Sequence, residues 1–168
     1  MSVLANRSSL ADRSSLVVGY GNPLRSDDGV GPVIAGRLAA DPRFTGTVAL
    51  QRHQLTPELA VDVSRADLVV LVDARSDAPA GSVAIERVDP ASADGSTWSH
   101  HLGPASLAGL AGELYGRAAE VHVVSVGVGS LEVGEGLSPE VEAAVPGAID
   151  AIAGLIARAA PVAGTEHA

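Results

Sequence analysis

Two adjacent aspartates, Asp27 and Asp28, follow a glycine-rich turn. A third, Asp73, follows the apolar run Val69-Val70-Leu71-Val72, and a histidine pair, His100 and His101, sits in a polar stretch. Carboxylate and imidazole together suit a borderline divalent cation such as zinc or nickel. Three protein ligands with open positions describe a catalytic or recognition site, not a closed structural one. The turn itself, Gly19 to Gly31, reads GYGNPLRSDDGVG between the apolar run Leu16-Val17-Val18 and a helix-like segment. A strand, a glycine turn and a helix start is where α/β proteins commonly build a site. A phosphate there wants backbone N–H groups with a Lys or Arg. Two carboxylates would repel a phosphate and attract a cation. The dinucleotide fingerprint G-x-G-x-x-G is also broken, because Leu24 stands where it needs a glycine. The acidic residue such a site wants about 20 residues on is Asp41, in a loop before Pro42 and not after a strand.

Plainer roles compete with these. Asp27 is well placed to cap the helix beginning near Gly29. A lone aspartate at a strand end, as Asp73 is, often serves as a cap or turn residue. His101 reads equally as a solvated residue, and His122, inside a strand-like run, reads as structural. His53 falls at the end of the second strand, on the same rim as the aspartates, and His167 is in the tail. Ser99, His100 and Asp73 are the types of a nucleophilic triad, but no G-x-S-x-G elbow accompanies them.

The elements that must hold these groups are strands at 16–20, 47–51, 68–73, 82–88 and 120–126, with helices at 30–40, 57–63, 106–116 and 139–159. Thr56-Pro57 and Ser138-Pro139 each read as an N-cap followed by proline at the first helical position. Strands alternating with helices imply a parallel sheet and a three-layer α/β/α sandwich, twisted, mostly parallel and five-stranded. The unbroken run at 69–72 reads as a central strand buried on both faces. The 82–88 strand has no clear helix before it, so it is expected antiparallel or at an edge. Ligands sit beyond the carboxyl ends of the strands in open α/β sheets. Asn22, Asp27, Asp28 and Asp73 therefore fall on one rim. The stretch 89–103 is the longest irregular segment, polar as substrate-facing loops often are.

Composition narrows the class. The chain has 168 residues and is expected to form one domain over 16–160, between a flexible N-terminal segment 1–15 and a flexible tail 161–168. Apolar residues make up 46% but aromatics only 2%, so the core must be built of Val, Leu, Ile and Ala. A net charge of −9 argues against a nucleic-acid partner. The absence of cysteine removes disulfides, thiolate metal sites and a Cys nucleophile. No apolar run approaches the roughly 18 residues that span a membrane, and the first 15 residues lack a signal-peptide core. A cytoplasmic, monomeric protein without membrane contact is the expectation.

Four blocks occur in order: GYGNPLRSDDGVG (19–31), ADLVVLVDA (66–74), SHHLGPASL (99–107) and GVGSLEVGEGLSPEVEAAV (127–145). Together they resemble the hydrogenase maturation endopeptidases, which trim a C-terminal extension from the large subunit of [NiFe]-hydrogenase. The resemblance covers the chain from Leu16 to about Ala159. It implies an α/β/α sandwich with a mostly parallel sheet. It also implies that the second acidic residue of the first block, the aspartate closing the third strand and a histidine of the later loop bind metal. In this chain these are Asp28, Asp73 and His100, with Asp28 and Asp73 as the catalytic carboxylates. The metal is nickel, carried largely by the large-subunit precursor that is the substrate, with zinc or cadmium as stand-ins in vitro. His100 is taken over His101 because the family spacing places a Gly or Pro three or four residues on, matching Gly103-Pro104.

Departures from the family pattern are visible. Many relatives have glutamate at the position of Asp28, one methylene longer. Glycines often follow the second strand, where this chain has Arg52-His53-Gln54-Leu55. The simplest cleavage route is a metal-polarised carbonyl attacked by water with carboxylate assistance. A non-catalytic metal-sensing or chaperone module of hydrogenase assembly would use the same three ligands.

Overall fold

The structure is a computed structural model that describes residues 15–92, 102–117 and 119–159. Five strands form one sheet: β1 (Ser15–Tyr20), β2 (Val48–Arg52), β3 (Leu68–Arg75), β4 (Val83–Arg87) and β5 (Glu120–Gly127). Four helices flank it: α1 (Val30–Ala40), α2 (Leu59–Arg65), α3 (Pro104–Tyr115) and α4 (Pro139–Ala159). The strand order is β2-β1-β3-β5-β4. Every pairing is parallel except β4 with β5, so β4 is the antiparallel edge that its missing crossover helix implied.

The three-layer sandwich follows from the two faces of the strands. In β1 and β3, Val17, Val70 and Val72 face α1 and α4, where Ile34, Leu38, Val145 and Ile152 complete one core. Leu16, Val18, Val69 and Leu71 face α2 and α3, against Leu59, Val63, Leu107 and Ala111. The run Leu68–Val72 is buried throughout, as a central strand between two helical layers must be. Each fully buried Val or Leu contributes about 1.5–3 kcal/mol, so these paired cores carry the fold without aromatic residues.

Three details depart from the sequence reading. Helix α2 starts at Leu59, not Pro57. Residues Pro57 and Glu58 form a tight turn in which the Leu59 and Ala60 N–H groups donate to Thr56 and Pro57 carbonyls, and Thr56 caps nothing. Strand β3 does not close at Asp73. It runs on to Arg75 because β5 keeps pairing with it, Asp73 opposite Ser125 and Arg75 opposite Gly127. Helix α3 begins at Pro104, two residues before the expected Ser106, with Gly103 at its cap.

The topology makes a crevice. From β1 the chain moves outward to β2, then crosses back to β3 on the other side of β1. Strand order reverses between β1 and β3, which is where open α/β sheets bind ligands. Close packing holds α1 at this point. A Cβ on Gly31 would lie 2.5 Å from both the Tyr20 and the Val72 carbonyl oxygens, so only glycine lets the helix start touch the two strand ends.

Candidate functional site at the β1–β3 crevice

The two acidic elements of the sequence meet at this crevice. Tyr20 ends β1, and its phenol lies beside the Asp73 carboxylate on β3, a hydroxyl that can donate to it. Gly21 follows at φ +142°, a conformation that side chains rarely adopt, and a Cβ there would strike the Asp28 carbonyl. The chain then turns back, so that the Asp28 Oδ2 accepts the Asn22 N–H at 2.8 Å. Asn22 itself is spent on the turn, its Oδ1 accepting the Leu24 N–H at 3.0 Å. Asp28, in the turn after β1, therefore stands near Asp73, close to the end of the neighbouring β3, and both are partly exposed.

Electrostatics reflects that proximity. Burial pushes the Asp73 carboxyl above the usual range, and the Asp28 charge pushes the same way; the Tyr20 hydroxyl and the Ala74 N–H oppose them. The Tyr20 phenol is raised well beyond its ordinary value, first by burial and then by the Asp73 charge and hydrogen bond. It stays a neutral donor at any working pH. Two like charges share one partly dry rim, an arrangement that a divalent cation would relieve.

Asp73 also lines a cleft of about 570 Å³ on the α3 side of the sheet. Tyr20, Ser125 and Val123 floor it, Glu86 and Arg87 of β4 form one wall, and Pro104 at the start of α3 closes another. A second hollow, about 440 Å³, lies at the opposite end of the sheet against α4, lined by His122, Arg87, Arg158 and Ile85. None of the acidic rim residues reaches it.

Asp27 does not cap the helix, contrary to the sequence reading. The cap position of α1 is Gly29, without a side-chain hydrogen bond. Asp27 is wholly buried and reaches across to the loop between β5 and α4. Its Oδ2 accepts from the Gly129 N–H at 3.0 Å, the Ser130 N–H at 3.1 Å and the Ser138 hydroxyl at 2.8 Å, and its Oδ1 from the Ser138 N–H at 2.7 Å. Burial opposes its charge, but these hydrogen bonds outweigh it and hold the carboxyl below the ordinary range. The same loop is laced to the residues before Asp27. Ser26, in a left-handed conformation at φ 52°, donates its N–H to the Gly134 carbonyl at 2.9 Å and its hydroxyl to the Glu132 carbonyl at 2.8 Å. The strain of that conformation, about 1–2 kcal/mol, is held in place by the lacing.

His100 and His101 lie outside the described residues, as does Ser99. Among the described residues no three His, Cys, Asp or Glu side chains group to hold a metal ion. The two expected carboxylate ligands lie near one another, and the expected third, His100, lies outside the described residues. His53 is an exposed residue just past β2, on the far side of β1 from Asp73. His122 lies in β5 and pairs through Nε2 with Glu120 at 2.9 Å, consistent with a structural role. Tyr20, Ser125 and the Asp27 lacing were not singled out from sequence. Tyr20 had a signal, since Leu16, Val18 and Tyr20 share one strand face and the phenol ends it at the rim.

No protein-family model matches the chain, and no curated protein sequence does so significantly. Solved structures do match. The hydrogenase maturating endopeptidase HybD of E. coli is 26% identical, with a TM-score of 0.67, covering 86% of this chain and 93% of that one. The [NiFe] hydrogenase maturation protease HycI of Thermococcus kodakarensis KOD1 is 25% identical, with a TM-score of 0.68, covering 93% and 99%. A hydrogenase 2 maturation peptidase from a Thaumarchaeota archaeon is 25% identical, with a TM-score of 0.67, covering 86% and 99%. These similarities run through nearly the whole of each relative. In fold and over nearly its whole length the chain is similar to the hydrogenase maturation endopeptidases.

Proposed function

We propose that this protein is the endopeptidase that removes the C-terminal extension of a [NiFe]-hydrogenase large-subunit precursor once nickel has been inserted. The observation that carries the reading is the pairing of Asp28 and Asp73 at the switch between β1 and β3, where Asp73 lines a cleft of about 570 Å³. In this reading Asp28, Asp73 and His100 recognise the nickel that the precursor brings, with zinc or cadmium able to stand in. Hard carboxylates and a neutral imidazole fit such an ion. Nickel supplies a positive charge that lowers the energy of a polarised peptide carbonyl. The protein's own part is to hold the carboxylates in place. Asn22 fixes Asp28 through its N–H, and Tyr20 fixes Asp73 through its hydroxyl. A carboxylate so held accepts a proton from the attacking water as the water oxygen bonds to the carbonyl carbon, and passes that proton to the amine of the leaving segment as the C–N bond breaks. The chain has no helix among its described residues long and apolar enough to cross a membrane, which fits a precursor met in solution.

The test is a gel assay on a hydrogenase large-subunit precursor, nickel-loaded and nickel-free, with the parent protein and with Asp28→Asn and Asp73→Asn. A shortened product is expected only from the nickel-loaded precursor and only with the parent. Equal shortening of the nickel-free precursor would remove the nickel-reading role. Nickel-dependent binding without shortening would leave a metal-sensing module instead of a protease.

A further inference from the structure

Strand β4 is an edge of the sheet whose exposed character the processing chemistry leaves unused. All five of its residues are exposed, including Val83 and Ile85 at 37% and 45%. It carries neither proline nor lysine, the usual guards of an edge strand. Its register with β5 fixes which backbone groups are spare. The Val88 N–H donates to the Val121 carbonyl, and the Gly127 N–H donates to the Ser82 carbonyl. Even-numbered residues therefore bond to β5, as Ala84 opposite Ser125 and Glu86 opposite Val123 do. The N–H and C=O groups of Val83, Ile85 and Arg87 point away from the sheet, and no described strand pairs with them.

Both hollows described above adjoin this edge. Glu86 and Arg87 wall the cleft that holds Asp73, on the α3 face. Ile85 and Arg87 line the second hollow, on the α4 face. An extended peptide paired with β4 would send successive side chains to alternate faces, one toward each hollow, which is how strand addition combines backbone affinity with side-chain selection.

We infer that the outer edge of β4 docks an extended segment of the protein to be processed, which adds to the sheet as a sixth strand beside the Asp73 cleft. The inference rests on the processing reading above. Continuity selects this occupant, because the edge strand is itself a wall of the cleft. A second copy of the chain is disfavoured by its net charge of −9. Geometry adds a spacing rule. Asp73, Ser125 and Ala84 lie in one row across β3, β5 and β4. An added strand is three strand spacings of about 4.8 Å from β3, about 14 Å, which about four extended residues span. The docked segment is thus separated from the bond to be cut by about four residues.

The test uses the full-length protein, alone and mixed with nickel-loaded hydrogenase large-subunit precursor. Amide hydrogen exchange is read at Val83, Ile85 and Arg87, and processing kinetics are measured for Ile85→Pro and Ile85→Thr. Ile85→Pro removes an outward N–H without touching the β5 ladder, and edge strands tolerate proline. The expected result is fast exchange of the three amides in the free protein and at least about tenfold slowing with precursor. Ile85→Pro should lower kcat/KM about tenfold through KM at an unchanged melting temperature, a loss matching one hydrogen bond and its crowding. Ile85→Thr should keep the parent rate. Cleavage by the parent with no slowing at these amides overturns the edge inference and leaves the processing reading standing. Absence of both cleavage and binding overturns both. Protection that grows with protein concentration in the absence of precursor assigns the edge to a second copy and overturns the inference. If Ile85→Pro does not fold, the exchange result decides alone.

Discussion

Asp27→Asn separates a structural role from a catalytic one with a single atom. The Asp27 carboxylate accepts four hydrogen bonds of 2.7–3.1 Å while wholly buried. An asparagine has one accepting oxygen. Placed where Oδ2 lies, that oxygen keeps the Gly129, Ser130 and Ser138 hydroxyl donors. Its NH2 group then faces the Ser138 N–H, donor against donor. Each retained bond loses its charge assistance, about 1 kcal/mol apiece, and the lost one strands a buried donor at about 1–3 kcal/mol. Relief of the buried charge offsets part of this. The net expectation is destabilisation by about 3 kcal/mol. Urea unfolding at pH 7 measures it, and with a slope of about 2 kcal/mol/M the midpoint should fall by about 1.5 M. The pH dependence has a definite sign. The folded Asp27 carboxyl is held below its ordinary value, so its contribution is full above about 3.9 and is lost as pH falls through the lower folded value. Parent and variant should differ by a constant amount from pH 7 to about 5 and converge below about 4. A loss under 1 kcal/mol at pH 7, or a gap that persists unchanged at acid pH, would refute the reasoning.

Three further outcomes are expected. Tyr20→Phe removes the hydroxyl that steadies Asp73, so processing should slow about tenfold with the melting temperature nearly unchanged, read by gel and thermal melt. Gly31→Ala drives a methyl against the Tyr20 and Val72 carbonyls, so it should cost about 3 kcal/mol or more and appear as a lowered urea midpoint. His100→Ala should lose cleavage of nickel-loaded precursor while His101→Ala retains most of it, and the reverse result in the gel assay would move the ligand by one residue.

Much of the architecture was legible because local pattern and burial agree. The run at 69–72 was apolar enough to be central, and the bounds of α1 and α4 match the expectation residue for residue. The antiparallel edge could be read from the lack of a crossover helix before it. The acidic rim was legible for a similar reason, since Asp28 follows β1, Asp73 lies close to the end of β3, and parallel strands deliver their ends to one side. The rest depended on long-range partners that leave no local trace. Asp27 looked like a helix cap because Gly29 and Val30 follow it, yet its donors lie more than a hundred residues away. Thr56-Pro57 carried a correct local cap signal, but the chain used it for a turn. The reach of β3 past Asp73 was set by its pairing with β5, a property of the neighbour and not of the strand's own residues.

The lacing of Asp27 has a consequence for the order in which the molecule comes into being. Asp27 leaves the ribosome early, but the groups that satisfy it are Gly129, Ser130 and Ser138. Until those have been made, its carboxylate has no buried place to occupy, and Ser26 has no reason to stay in its left-handed turn. A chain arrested before Gly129 should therefore show a protease-sensitive 21–29 segment in limited digestion, and one released after α4 a resistant segment. Synthesis itself thus keeps the 21–29 turn unformed on an unfinished chain, so a nascent copy does not yet present Asp28 as the finished fold does.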